Sequence, residues 1–384
     1  MTKSVSKLHL KPKELTALVM AGGTGGHIFP GLAVAQELMA RGWKIHWLGS
    51  QGGMEETLVA RQNIPMSLIA ISGLRGNGLL GWVKAPFSLI KAVLEARRVI
   101  TKVSPQVVLG FGGFASGPGG LAAKLAGRFL IIHEQNAIAG LTNKMLSKFA
   151  NRVFQAFPNT FDKNVNAQTV GNPIRKDIAK LSSNSGEELA LGSQVMTSNK
   201  VIQVLVIGGS RGAQALNQQL PPIFSEQLKS GKIQVRHQSG EAGYQDACAA
   251  YGNVELNNQE SVKVEKFIDD MSSAYQWADI VVCRSGALTV SEIAAAGKAA
   301  IFIPFPFAVD DHQTMNANWL VEQGAGIVIP QSLLSSDESV NKIKALLADS
   351  SKIAEMANKA KRTAYLHATE KMVQACEESV EMAA

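Results

Sequence analysis

The chain has 384 residues, of which 46 % are hydrophobic and 18 % charged, with 35 glycines and a formal net charge of +7. This length predicts two domains rather than one, each with enough apolar residues to bury a core. The positive balance suits an anionic ligand, an acidic membrane surface or plain solubility, and no basic stripe interleaved with aromatics points to a nucleic-acid partner.

Residues 1–14 read as a disordered tail with Lys3, Lys7, Lys11 and Lys13 and no apolar h-region, unlike a secretory signal. From Leu15 strand and helix alternate. A strand over Ala17–Met20 enters the turn Gly22-Gly23-Thr24-Gly25-Gly26-His27, and an apolar helix follows over Pro30–Ala40. Strand Lys44–Leu48, a helix near Glu55–Arg61 and a strand near Met66–Ile71 come next. The stretch Leu79-Leu80-Gly81-Trp82-Val83-Lys84-Ala85-Pro86-Phe87 puts large apolar residues on an expected loop and helix start, with Lys91, Arg97 and Arg98 beyond. Apolar residues flanked by cations suit an anionic membrane surface, and a core-packed helix would show the same pattern. No apolar run reaches the length that spans a bilayer.

Strand Val107–Leu109 runs into Gly110-Phe111-Gly112-Gly113-Phe114, and strand Phe129–His133 ends at Glu134-Gln135-Asn136. This βα alternation predicts a doubly wound parallel sheet, with ligands at the carboxyl ends of its strands. A domain boundary is expected near Gly171-Asn172-Pro173, ahead of a polar segment that begins at Leu181. The alternation restarts with strands Gln203–Ile207, Gln234–His237, Val262–Glu265, Ile280–Cys283 and Ala300–Ile303. The first of these enters a second glycine turn, Gly208-Gly209-Ser210-Arg211-Gly212-Ala213. From about Val340 the chain reads as helices, which could cross back to the first domain. The domains expected are thus 15–173 and 174–345, followed by terminal helices over 346–384.

Glycine turns that open helices let phosphates or sugars approach main-chain N–H groups at a positive dipole end. A histidine at such a turn, His27, could be a general base or could simply bond a nearby carbonyl. The first turn is not G-x-G-x-x-G, and the second strand ends at Leu48-Gly49-Ser50 without an acid for a ribose. That disfavours NAD and leaves NADP open. Asn136 carries an amide that can donate to and accept from a sugar hydroxyl. In Cys283-Arg284-Ser285-Gly286-Ala287-Leu288-Thr289-Val290-Ser291-Glu292, Ser285 is expected to cap the next helix, whose free N–H groups would face an anion. Glu292, under two turns on, could hold both hydroxyls of a ribose, so a nucleoside diphosphate fits; a capped helix with a solvated glutamate is the plain alternative. The polar run Asp310–Asn316 offers sugar partners or a solvated helix start. Cys248, Cys283 and Cys376 lack metal or disulfide spacing, which fits a reduced cytosolic protein. No Asp-x-Asp pair and no P-loop is present.

Taken together, these motifs resemble the MurG family of N-acetylglucosaminyltransferases from about Leu15 to Met372. The resemblance rests on Gly22–His27, Ile71-Ser72-Gly73-Leu74-Arg75-Gly76, Gly112-Gly113-Phe114, His133–Asn136, Gly171-Asn172-Pro173-Ile174-Arg175, Gly208–Ala213, Phe267-Ile268-Asp269-Asp270-Met271 and Arg284–Glu292. It implies a GT-B fold, two Rossmann-like domains with a cleft between them. It implies inverting transfer from UDP-GlcNAc to undecaprenyl-pyrophosphoryl-MurNAc-pentapeptide, without metal or cofactor, at the cytoplasmic face of the inner membrane. Ile268 would line the uracil pocket through its backbone and Glu292 would hold the ribose. Ser210, Arg175 and Ala287, Leu288, Thr289, Val290 and Ser291 would meet the diphosphate, and Asn136 and Gln313 the sugar. Thr24, Gly25 and Gly26 would complete the UDP-GlcNAc site on the acceptor side and would also suit the acceptor diphosphate. His27 is the expected base, with Glu134 as understudy. Leu79, Leu80, Trp82, Val83 and Phe87 fall where the family docks on membrane. Arg211 stands where relatives commonly carry Gln. A UDP-GlcNAc epimerase on the same fold, or a non-catalytic nucleotide-sugar binding module, would share the donor pocket without the transfer.

Overall fold

The computed structural model describes residues 14–71, 78–182, 200–208, 213–254 and 259–382, with side chains for all of these except 78–85 and 259. Two compact units emerge. The first holds the chain up to His133, Gly140–Phe154 and Thr369 onward; the second holds Glu134–Ala139 and Gln155–Ala368.

The first sheet contains β1 (Thr16–Met20), β2 (Lys44–Ser50), β3 (Met66–Ile69), β4 (Val107–Gly110), β5 (Phe129–Glu134), β6 (Arg152–Gln155) and β7 (Ala167–Thr169), in the order β3-β2-β1-β4-β5-β6-β7. Its helices are α1 (Gly25–Ala40), α2 (Glu55–Ala60), α3 (Gly78–Val103), α4 (Ser116–Leu125) and α5 (Leu141–Leu146). Helix α6 spans 176–182. The second sheet contains β8 (Ile202–Ile207), β9 (Ile233–Gln238), β10 (Val262–Glu265), β11 (Ile280–Cys283), β12 (Ala299–Phe302) and β13 (Gly326–Val328), in the order β10-β9-β8-β11-β12-β13. With it run α7 (Gln214–Lys229), α8 (Tyr244–Gly252), α9 (Met271–Trp277), α10 (Ala287–Ala296), α11 (His312–Glu322), α12 (Asp337–Leu347), α13 (Ser350–Thr363) and α14 (Ala368–Glu381).

The strands pair in parallel, β1 with β2 and β4, and β8 with β9 and β11. Parallel strands are covered on both faces, which is why they read as nearly continuous apolar runs. Ala17–Met20, Val107–Leu109, Val204–Val206 and Ile280–Cys283 have no exposed surface. In each sheet the strand order reverses beside the first strand of the unit, so β1/β4 and β8/β11 are switch points. Loops leaving such strands diverge and leave room for a ligand. The two glycine turns leave β1 and β8.

Several elements differ from the sequence reading. Helix α1 begins at Gly25, five residues before Pro30, which lies inside it. Leu79–Phe87 belongs to α3 rather than to a loop and helix start. Strands β6, β7 and β13 were not expected; each has only three or four residues. Of the terminal helices expected over 346–384, α14 falls in the first unit and α13 in the second; in the first, Arg41 donates to both Glu377 oxygens at 3.1 Å.

Candidate functional site

In the first unit three turns meet at the carboxyl ends of β1, β2 and β4. The indole Nε1 of Trp47 donates to the Ala21 carbonyl at 3.0 Å and pins the start of the first turn. The Ser116 hydroxyl lies 3.0 Å from the Met20 carbonyl and 2.6 Å from that of Gly112, joining the β1 and β4 turns. Gly113 has φ +81°, and a Cβ there would run into the Gly22 backbone, so only glycine permits this approach. Thr24 is the N-cap of α1, exposed, with no side-chain cap bond. Gly25 and Gly26 form the first turn of the helix, and His27 N–H donates to Thr24 O at 3.1 Å. The half-buried His27 ring lies flat enough on Gly112 that a Cβ there would sit 3.1 Å from both Cε1 and Nδ1.

In the second unit the candidate residues converge on the start of α10. Its N-cap is Gly286, not Ser285, and makes no side-chain cap bond. Ser285 is buried, and its Oγ finds no partner among the described residues, so the expected cap does not form. An N-cap oxygen must reach back over the helix start, and Ser285 lies one residue too early. The N–H groups of Ala287, Leu288 and Thr289 are those a helix start leaves open. Val290 N–H is already bonded to Gly286 O at 3.0 Å and its side chain is core. Ser291 Oγ donates to Ala287 O and accepts from Asn172 Nδ2, both at 3.0 Å. These last two residues therefore shape the helix start from within.

Glu292 is buried and accepts from the Tyr275 hydroxyl at 3.1 Å. Burial pushes its carboxyl up to about 7, against the pull of Arg175 and the Tyr275 bond and with a small push from Asp177. Burial also raises Tyr275 well above the usual phenol range, which keeps it a donor. Arg175 is half-buried just ahead of α6. Ile268 is core, in the loop between β10 and α9, where Asp270 caps α9 through Ser273 N–H at 2.9 Å.

The sugar-side candidates are tied together by a residue to which the sequence alone assigns no role of its own. Asn316 is fully buried on α11. Its Oδ1 accepts from Ala137 N–H at 2.7 Å, and its Nδ2 donates to Ser285 O at 3.2 Å and to Asn136 Oδ1 at 3.3 Å. Asn136 in turn donates its main-chain N–H (3.0 Å) and its Nδ2 (3.3 Å) to Glu134 Oε1. Glu134 is only 2 % exposed. Its carboxylate thus orients Asn136, and the Asn136 amide is left with one N–H to offer outward. Gln313 accepts from Phe305 N–H at 2.9 Å through Oε1, which leaves its Nε2 to donate. Arg284 holds the same loop by donating to Ile303 O (2.9 Å) and Pro304 O (3.1 Å).

Ser210 and Arg211 lie outside the described residues, as do the side chains of Leu79, Leu80, Trp82 and Val83. Further along α3, Phe87 is 76 % exposed, and Leu89, Ile90 and Leu94 are exposed beside Lys91, Arg97 and Arg98. Among the described residues no helix is long and apolar enough to cross a membrane.

Comparison with known proteins places these features. Residues 17–155 match the glycosyltransferase family 28 N-terminal domain and residues 203–372 its C-terminal domain. The chain is 47 % identical over 361 residues to the UDP-N-acetylglucosamine–N-acetylmuramyl-(pentapeptide) pyrophosphoryl-undecaprenol N-acetylglucosamine transferase of Shewanella frigidimarina, covering 94 % of this chain and 95 % of the relative. The crystal structure of Acinetobacter baumannii MurG superposes with a TM-score of 0.80 at 39 % identity, over 95 % of this chain and 99 % of that one. A putative UDP-N-acetylglucosamine 2-epimerase from Listeria monocytogenes shares the fold alone, with a TM-score of 0.62 at 14 % identity over 96 % of this chain and 97 % of that one.

Proposed function

The chain belongs to the MurG family within glycosyltransferase family 28, and from that premise we propose that it moves N-acetylglucosamine from UDP-GlcNAc to the C4 hydroxyl of the muramoyl sugar in undecaprenyl-pyrophosphoryl-MurNAc-pentapeptide. The observation that carries the donor half is the start of α10: an uncapped helix end with a buried carboxylate at its sixth residue. One end suits a diphosphate and the other a ribose diol. Ile268 offers its main chain to the uracil. Ala287, Leu288 and Thr289 N–H groups, with Arg175 and Ser210, take up the charge that develops on the leaving UDP. Asn136 and Gln313 each keep an N–H donor for the sugar.

The reaction is a single displacement. The C4 oxygen forms its bond to C1 as the bond from C1 to the UDP oxygen breaks, so the anomeric configuration inverts. The hydroxyl proton goes to His27. A second displacement would need a carboxylate nucleophile, which this route does not use. Thr24, Gly25 and Gly26 complete the UDP-GlcNAc site on the acceptor side. The test is transfer of labelled GlcNAc from UDP-GlcNAc to the lipid-linked muramoyl pentapeptide with EDTA present. Labelled lipid and released UDP support the reading; conversion of UDP-GlcNAc without transfer would move the chain to the epimerases.

The exposed apolar face of α3 is the membrane contact in this reading, with Leu79, Leu80, Trp82 and Val83 on the same helix. The enzyme then works peripherally at the cytoplasmic face of the inner membrane, where its lipid-linked acceptor lies. Replacing Phe87 and Ile90 together by Ser is expected to weaken binding to vesicles containing anionic lipid by about ten-fold or more, since burying each large apolar side chain is worth about 1.5–3 kcal/mol. Co-sedimentation measures this, and turnover of a short-chain soluble acceptor should stay at the wild-type rate. Unchanged vesicle binding would remove α3 from the contact.

A further inference from the structure

Glu55 has no exposed surface, and nothing in the transfer step uses it. It opens α2, directly below the first glycine turn. Its Oε1 accepts from Ser50 N–H at 2.9 Å and from the Ser50 hydroxyl at 2.7 Å. Its Oε2 accepts from Gly23 N–H at 3.2 Å. Glycines make the room: a Cβ on Gly22 or Gly53 would run into the carboxylate, and one on Gly49 would sit 2.8 Å from Cγ. A buried carboxylate is costly unless donors surround it, and here three do.

The two oxygens face different parts of the fold. One is fixed by the last residue of β2, a rigid interior strand. The other reaches Gly23, whose φ of +89° turns the chain into Thr24 and the start of α1. His27 N–H hangs on the Thr24 carbonyl. A shift at Gly23 therefore passes to Thr24 and to the helix turn that carries the imidazole. We propose that Glu55 is a positioning residue for the transfer: it ties the first glycine turn to β2 and so fixes how Thr24–His27 meet the acceptor. This rests on the transferase reading and deepens it.

Glu55→Gln separates these roles. The amide oxygen can keep both Ser50 bonds, whereas the amide nitrogen faces the Gly23 N–H and cannot accept from it. In the full-length protein, kcat/KM for the lipid acceptor should fall on the order of ten- to a hundred-fold, as small displacements of a catalytic group do. The dissociation constant for UDP alone should hold within about two-fold, because its proposed contacts at Ile268, Glu292 and the start of α10 are not touched. Ser50→Ala, which leaves the Gly23 bond in place, should keep most of the acceptor turnover. Should Glu55→Gln not fold, Gly23→Ala strains the turn at its positive φ with Glu55 intact and must show the same split. Parallel loss of UDP binding and acceptor kinetics, or no loss in a folded variant, would each overturn the proposal. A wild type that transfers nothing would instead end the transferase reading. The tie itself is then read by amide hydrogen exchange, expected to quicken at Gly23–Ile28 in Glu55→Gln and to stay slow if Glu55 holds nothing.

Discussion

His27→Ala is expected to lower kcat by about 10²–10⁴-fold, the usual contribution of a positioned general base, with the UDP-GlcNAc dissociation constant nearly unchanged. His27 stands at the first turn of α1, half-buried, its ring set against Gly112. That glycine matters to the result. A Cβ at Gly112 would crowd Cε1 and Nδ1, so Gly112→Ala should displace the imidazole and reproduce part of the loss. The competing carboxylate, Glu134, is almost fully buried and holds the Asn136 main-chain N–H and Nδ2. Its replacement by Gln should therefore act through Asn136 and raise KM for UDP-GlcNAc more than it lowers kcat. Single-turnover rates with saturating donor separate the two. If Glu134→Gln stops the chemical step and His27→Ala does not, the assignment of the base is reversed. Partial recovery of His27→Ala turnover by added imidazole would tie the loss to a missing base rather than to a disturbed turn.

The sequence made much of this geometry legible, for identifiable reasons. Strands such as Ala17–Met20 and Ile280–Cys283 are buried on both faces, so their apolar runs stand out between glycine turns. Short strands carry no such mark: β7 is Ala167-Gln168-Thr169, which alternates like any surface loop. Proline favours a first helical turn and glycine does not, so the sequence alone points to Pro30 as the start of α1. Yet the helix begins at Gly25 and Gly26, where the absence of side chains serves the turn. Serine favours the N-cap position, yet the backbone places Gly286 there rather than Ser285. The supporting side chains were hidden for a different reason. Glu55 meets Gly23 across 32 residues and Asn316 meets Ala137 across 179, so neither pairing shows as a local pattern. Motifs name the residues a ligand would touch, whereas the groups that hold them in place become visible only when the chain is folded.

Glu292→Gln is expected to weaken UDP-GlcNAc binding at pH 8 by about ten- to a hundred-fold, the worth of a hydrogen bond to a charged acceptor, and to stabilise the free protein at the same pH. Both effects come from one carboxyl. Burial raises it to about 7, with Arg175, Tyr275 and Asp177 as the groups that act on it. A ribose diol has two O–H donors and is best met by the ionised form. Donor binding therefore favours loss of the proton, and affinity falls as pH drops below 7. Between pH 8 and pH 6 the wild-type dissociation constant should rise about ten-fold, following the protonated fraction of the free site. UDP-GlcNAc is the right titrant, since its diphosphate has no group titrating in that window, and Glu292→Gln should abolish the slope. The stability effect has the opposite sense. The folded carboxyl binds its proton more tightly than the unfolded one, so the folded state gains protons between about pH 4.5 and 7 and loses stability as pH rises through that window. By pH 8 the charged carboxyl, net of the Arg175 and Tyr275 interactions, costs about 3 kcal/mol. Thermal melts should accordingly show Glu292→Gln above wild type at pH 8 and level with it near pH 5. A variant that melts lower at pH 8, or a wild-type affinity that is flat from pH 6 to 8, would mean that Glu292 is not the titrating ribose partner.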